Sequence, residues 1–117
     1  MEQAIRIGNK EVNMKVTANT PRLYRDMFGK DLIVEMQGLL NHIGSKGEVT
    51  KGFDFGVVER LAYTMAYQYD RTIGSIDEWM DGFDGIEDMY LAMSDILKVW
   101  NASKTTTSEP KKKTAEQ

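Results

Sequence analysis

A chain of 117 residues with no cysteine and a formal charge of −3 is one domain's length, enough for a hydrophobic core and too short for a two-lobed enzyme. Without cysteine there is no disulfide framework, thiolate metal site or catalytic thiol, which suits a reducing cytoplasm. No apolar run approaches the roughly 18 residues of a membrane span and Met1 to Lys10 lacks a signal-peptide core, so the chain reads as neither secreted nor membrane-embedded.

The charge is unevenly placed. Four lysines (Lys104, Lys111, Lys112 and Lys113) against Glu109 and Glu116 put residues 102–117 at +2, leaving residues 1–101 at −5. An acidic folded part is a poor platform for a phosphate backbone, because nucleic-acid affinity comes largely from lysines and arginines displacing counterions.

In chain order, Ile5 and Ile7 and then Val12, Met14 and Val16 alternate with polar residues, the period of strands with one buried face. This predicts a β-hairpin over residues 3–17. A turn centred on Asn9 and Lys10 would set Ile7 opposite Val12 and Ile5 opposite Met14. A hairpin alone is marginally stable, so it needs helices beneath it. Thr20-Pro21 then starts a helix over residues 20–28, with Thr20 accepting from first-turn amides and Pro21 where a missing N–H costs nothing. Leu23, Tyr24, Met27 and Phe28 form its apolar face, and Gly29 closes it.

A second helix is expected over residues 31–43, with Leu32, Ile33, Met36, Leu39, Leu40 and Ile43 on one side. After a glycine-bearing connection, residues 54–70 form the most regular helix, with Val58, Leu61, Ala62, Met65, Ala66 and Tyr69 at steps of three and four. The other elements are expected to pack on it. Ser75-Ile76-Asp77-Glu78 has the form of a capping box, opening a helix over residues 75–83. Ile86, Met89, Tyr90, Met93, Ile96, Leu97 and Trp100 keep the helical period through residues 86–101. The expected fold is therefore mostly α: an N-terminal β-hairpin on a bundle of about five helices within residues 1–101. Residues 102–117, rich in Lys, Thr and Ser, contain no large apolar residue. They read as a disordered basic tail, since nothing there offsets an ordering entropy of roughly 1–2 kcal/mol per residue.

Few constellations suggest chemistry. Asp77, Asp81, Asp84, Glu87 and Asp88 could share a proton or hold a divalent cation, as a small hydrolase would require, but a solvated face on two amphipathic helices is the preferred reading. Residues 77–88 have the length of an EF-hand loop with Gly82 at its tight turn, yet Trp79 stands where a ligand oxygen is needed. His42, the single histidine, lacks a metal-sharing or nucleophilic partner and reads as a surface residue near a helix C-terminus. No glycine cluster follows a strand in a phosphate-binding pattern. No catalytic, cofactor-binding or metal-binding residue is assigned, and the chain is not expected to be an enzyme. The eight methionines suit either a core or an adaptable binding surface. Trp79 and Phe83 likewise could close the core or anchor a partner.

Asn19-Thr20-Pro21-Arg22-Leu23-Tyr24-Arg25-Asp26-Met27-Phe28-Gly29-Lys30-Asp31 resembles the "TPR-x-Y-R-x-x-F-G-x-D" stretch of the tail assembly chaperones of long, flexible-tailed bacteriophages, particularly siphophages of Gram-positive hosts and related prophages. Leu61-Ala62-Tyr63-Thr64-Met65-Ala66 is similar to that family's "LAY-x-MA" helix. Residues 75–83 resemble its "S-x-x-EWL-D-x-F" segment, with Met80 for the commoner leucine, a volume-conserving change. Residues 96–101 resemble its closing "I-x-x-LW-x-x-N". The four segments stand in the family's order across residues 1–101.

The resemblance implies a non-enzymatic assembly factor of the host bacterial cytoplasm. Such proteins bind the tape measure protein, help recruit tail tube subunits, and leave the finished virion. Many also have a longer product of programmed frameshifting whose extension binds tail tube protein. Lys111-Lys112-Lys113 suits an adenine-rich slippery site, as well as a merely solubilising cluster. The candidate partner-binding residues are Tyr24, Phe28, Trp79, Met80, Phe83 and Trp100, and homo-oligomers are expected. The alternative is a small regulatory nucleic-acid-binding protein of phage or prophage origin using the basic tail, Arg22, Arg25 and Lys30. The −5 charge of residues 1–101 argues against it.

Overall fold

Alternating apolar residues at the N-terminus fold as an antiparallel hairpin, β1 (Glu2–Ile7) and β2 (Lys10–Lys15), in a computed structural model that describes residues 1–104. Ile5, Ile7, Val12, Met14 and Val16 are all buried on one face. The register differs from the expectation by two residues: Ile5 pairs with Val12, Gln3 with Met14, and Ile7 with Lys10. The turn is Gly8-Asn9, with Gly8 at φ +63°, the sign both primed hairpin turns require at their first central residue. A two-residue slip leaves every side chain on its original face, so apolar alternation specifies the face and the turn residue specifies the register. The Met1 amino group donates to the Val16 carbonyl at 2.9 Å and the Val16 amide to the Met1 carbonyl at 2.8 Å, extending the ladder to the chain's first residue.

Six helices follow among the described residues: α1 (Thr20–Phe28), α2 (Leu32–Leu40), α3 (Phe55–Tyr69), α4 (Ile76–Met80), α5 (Asp88–Leu91) and α6 (Met93–Ala102). The mostly helical class with an N-terminal hairpin is as expected. The expected last helix is divided at Ala92 and starts later, because the Asp88 carboxylate accepts from the Gly85 amide at 3.0 Å and fixes residues 85–87 as a turn. Ala102, expected to open the tail, closes α6. The rest of the expected disordered tail, with its Lys111–Lys113 cluster, lies outside the described residues.

Helix α2 ends at Leu40, short of the expected residue 43. Beyond it the chain folds back, with an Ile43–Val49 bridge and the Thr50 amide donating to the His42 carbonyl at 2.8 Å. Helix α4 likewise stops at Met80 rather than residue 83. Asp31 caps α2 by accepting from the Val34 amide at 3.0 Å, and Asp54 caps α3 by accepting from the Gly56 amide at 2.9 Å. Ser75 and Glu78 form the expected reciprocal capping box on α4.

Helix α3 occupies the centre. It touches β2, α1, α2, α4 and α6, while β1 lies against α5 and α6. Val57, Val58, Leu61, Ala62, Tyr63, Thr64, Met65, Ala66 and Gln68 are all buried, so burial extends well beyond one stripe, and Tyr69, expected inside, is exposed. A helix covered on several sides must satisfy its polar side chains internally. The Thr20 hydroxyl donates to Gln68 Oε1 at 2.6 Å, Gln68 Nε2 donates to Thr17 Oγ1 at 2.6 Å, and the Thr17 amide donates to Thr20 Oγ1 at 3.0 Å. Thr20 is therefore a buried tie between α1 and α3, and it receives no first-turn amide.

Candidate functional site

The six residues expected to meet a partner divide into two groups. Tyr24 is 0% and Trp100 7% exposed, so both belong to the core. Phe28, Trp79, Met80 and Phe83 are half-buried against it. Tyr24 is enclosed because α1, α2 and α3 converge on its ring. Its hydroxyl donates to Glu35 Oε1 and accepts from Arg60 Nε at 3.0 Å, while Arg60 Nη2 lies 3.3 Å from Glu35 Oε1. Burial, followed by the hydrogen bond to the Glu35 carboxylate, pushes the Tyr24 phenol up to about 12. This cluster is a structural tie between three helices.

Around it the aromatic rings form a continuous row. Tyr24 meets Phe28 edge-on at 5.2 Å between ring centres, Phe28 meets Tyr63 at 6.4 Å, Tyr63 meets Trp79 at 5.7 Å, and Trp79 meets Phe83 at 5.0 Å. Edge-to-face pairs at these separations add about 0.5–1.5 kcal/mol each beyond their buried area. The row attaches α4, which is five residues long, to α3. The Tyr63 hydroxyl donates to the Gly74 carbonyl, anchoring the loop before α4. Lys10 Nζ lies 5.6 Å from the centre of the Phe83 ring and joins the hairpin to the row's end. Trp79, Met80 and Phe83 thus close the core with one side and leave the other available.

Clefts border these residues, among them one of about 240 Å³ between the hairpin, α3 and α4 that Trp79 and Phe83 line with Lys10 and Tyr69, and two others. One, of about 760 Å³, is lined by Met1, Val16, Pro21, Ile33, Trp100 and Lys104 among others; it is bounded by the last described residue. The other, of about 350 Å³, lies between α3, α4 and α5 and is lined by Phe55, Glu59, Met80, Phe83, Gly85, Ile86, Met89 and Tyr90. Its lining includes Ile86 and Tyr90, which sequence reasoning placed on a buried stripe and which are 102% and 52% exposed. Leu91, next to Tyr90 on α5, is 74% exposed. Tyr90 packs against Phe55 at 5.7 Å between ring centres, and Phe55 lies 6.5 Å from Phe53. Ile33, Val34 and Leu40 form a further exposed apolar set on α2, where only Leu32, Met36 and Leu39 are buried. A helical stripe wider than its buried contact leaves such residues in water. The Gly85-x-x-Asp88 spacing, a short cap with its own acceptor, was the signal available for Ile86.

The carboxylates of residues 77–88 are spread over this same end. Glu78 is engaged in the α4 cap and Asp88 in the turn at Gly85. Among the described residues no group of three or more His, Cys, Asp or Glu side chains is arranged to hold a metal ion. Arg22 lies 3.6 Å from Asp26 on α1, while Arg25 and Lys30 are exposed. Among the described residues no helix is long and apolar enough to cross a membrane. No protein-family model, curated protein or solved structure matches the chain.

Proposed function

We propose that this chain is a phage tail assembly chaperone, a protein that binds the tape measure protein and assists addition of tail tube subunits in the host bacterial cytoplasm. The reading rests on the four sequence segments in family order. The observation that carries it physically is the exposed apolar surface of Ile86 and Tyr90 in the lining of the α3–α4–α5 cleft, with exposed Leu91 next in the chain on α5. Exposed large apolar side chains that line a cleft offer a surface on which another macromolecule can bury its own apolar residues. A long helical client presents repeated apolar stripes that such a surface can cover, as in helix-in-groove recognition. Self-association and contact with tail tube protein through a frameshifted extension belong to the same reading.

The test is co-purification of the full chain with fragments tiled across the tape measure protein encoded downstream. One or more helical fragments are expected to elute with the chain on size-exclusion chromatography. Failure of every fragment to bind overturns the reading.

A further inference from the structure

The segment from Thr72 to Leu97 carries seven carboxylates and neither a lysine nor an arginine. It contributes most of the cleft described above: Met80, Phe83, Gly85, Ile86, Met89 and Tyr90 come from it, and Phe55 and Glu59 come from α3. Asp77, Asp81, Asp84, Glu87 and Asp95 are exposed, and among the described residues none of them forms an ion pair. Within the cleft wall itself Glu59 adds a further carboxylate. Lys10 reaches Phe83 from the hairpin, and Lys98, exposed on α6, stands three residues after Asp95.

Burying the apolar centre is favourable, but an acidic or neutral partner would gain nothing from the surrounding carboxylates and would leave them close to desolvated surface. A partner with lysines or arginines flanking its apolar residues pairs with them on approach. The arrangement matches the usual anatomy of a protein interface, an apolar centre with a charged rim. The geometry points to a specific occupant: the α3–α4–α5 cleft docks a cationic amphipathic helix, whose apolar face covers Ile86 and Tyr90 and whose basic residues face Glu59 and the flanking Asp84 and Glu87. This deepens the chaperone reading and rests on it for the identity of the client, while the class of client follows from apolar exposure and charge.

The test uses the full chain and two synthetic amphipathic peptides with the same leucine face, one bearing lysines on its polar face and the other glutamates. Fluorescence anisotropy is expected to show binding of the lysine peptide and at least about tenfold weaker binding of the glutamate peptide, with the lysine affinity falling as salt is raised. Ile86→Asp, at a fully exposed position, should keep the wild-type circular dichroism and weaken the lysine peptide about tenfold or more, the usual loss when a central apolar anchor is removed. The double variant Asp84→Asn, Glu87→Gln should flatten the salt dependence while leaving the fold intact. Equal affinity for the two peptides, or an Ile86→Asp variant that binds like wild type, overturns the inference. A variant that dissolves a homodimer without altering peptide affinity also overturns it, assigning the face to a second copy. Binding of tape measure fragments that Ile86→Asp leaves unchanged defeats this surface and spares the chaperone reading; peptide binding without any tape measure binding does the reverse.

Discussion

Where α1, α2 and α3 converge, an aromatic hydroxyl, a carboxylate and a guanidinium are turned inward on one another; at the α4–α5 end, rings and carboxylates face water. Tyr24, Glu35 and Arg60 satisfy each other's hydrogen-bonding groups, which is the condition for burying them. Tyr90, Asp84 and Glu87 belong to the same residue types and remain exposed. Residue type alone therefore does not separate structural from binding residues. What separates them is how many elements converge on the position: three helices on Tyr24, but only the edge of α3 and a single-turn helix near Tyr90.

The contrast predicts a hierarchy of effects. Trp100, nearly buried on α6, should behave as core, so Trp100→Ala is expected to cost about 3–5 kcal/mol. Urea denaturation monitored by circular dichroism checks this. A small domain's total stability is about 5–15 kcal/mol, so the loss would be a large fraction of it. An unchanged midpoint would instead place Trp100 among the binding residues and erase the distinction between the two ends.

The buried cluster should also betray itself by pH. The Tyr24 phenol titrates near its ordinary value of 10 in the unfolded chain and at about 12 in the folded one. Below pH 10 both states hold the proton and the contribution is fully present. Between 10 and 12 the unfolded chain releases it while the native chain keeps it, so stability falls as pH rises, by up to about 1.4 kcal/mol per pH unit. Tyr63, also raised by burial, acts in the same direction. Tyr24→Phe should remove the Tyr24 share, and the wild-type minus variant difference in urea stability across this window cancels the other titrating groups. A pH-independent difference would mean that the Tyr24 hydroxyl is not buried.

The sequence made the helical class, the central helix α3 and the apolar face of the hairpin readable, because each is written as a local period. It was silent where one position depends on a distant one. Thr20 has the form of a helix cap, yet Gln68, far along the chain, takes its hydroxyl into a buried network. The hairpin register was missed because a two-residue slip preserves the apolar pattern, although Gly8-Asn9 is itself a turn signal. Of the candidate site, Trp79, Met80 and Phe83 were anticipated and line or adjoin the cleft. Ile86 and Tyr90 were not, since their spacing with Met89 and Met93 is that of a buried stripe whether or not anything covers it.

Between the two extremes stands the capping box of α4. Ser75 accepts from the Glu78 amide at 3.1 Å and Glu78 accepts from the Ser75 amide at 2.9 Å. Ser75→Ala should cost about 1 kcal/mol, as N-cap replacements usually do, and urea unfolding reads it directly. Because α4 carries Trp79 and Met80 at the cleft's border, the variant should also loosen that border. Tryptophan emission is expected to shift to the red without a matching change in helical circular dichroism.

The smallest effect on stability is expected where the largest effect on binding is proposed. Ile86 loses no contact area to the folded chain, so Ile86→Asp removes no buried surface and should change stability by no more than about 0.5 kcal/mol, the range of ordinary surface substitutions. Leu91→Asp should fall close to it. Thermal melts of both variants beside wild type measure this, and they also decide how the exposed end is to be understood. A large loss would mean that Ile86 and Leu91 pack on something in solution, a second copy or another part of the chain. A melt that overlays wild type means that the Ile86 and Leu91 side chains contribute nothing to folding. Their apolar character then has its physical use in association, and the division between an inward-turned and an outward-turned end becomes a division between stability and binding.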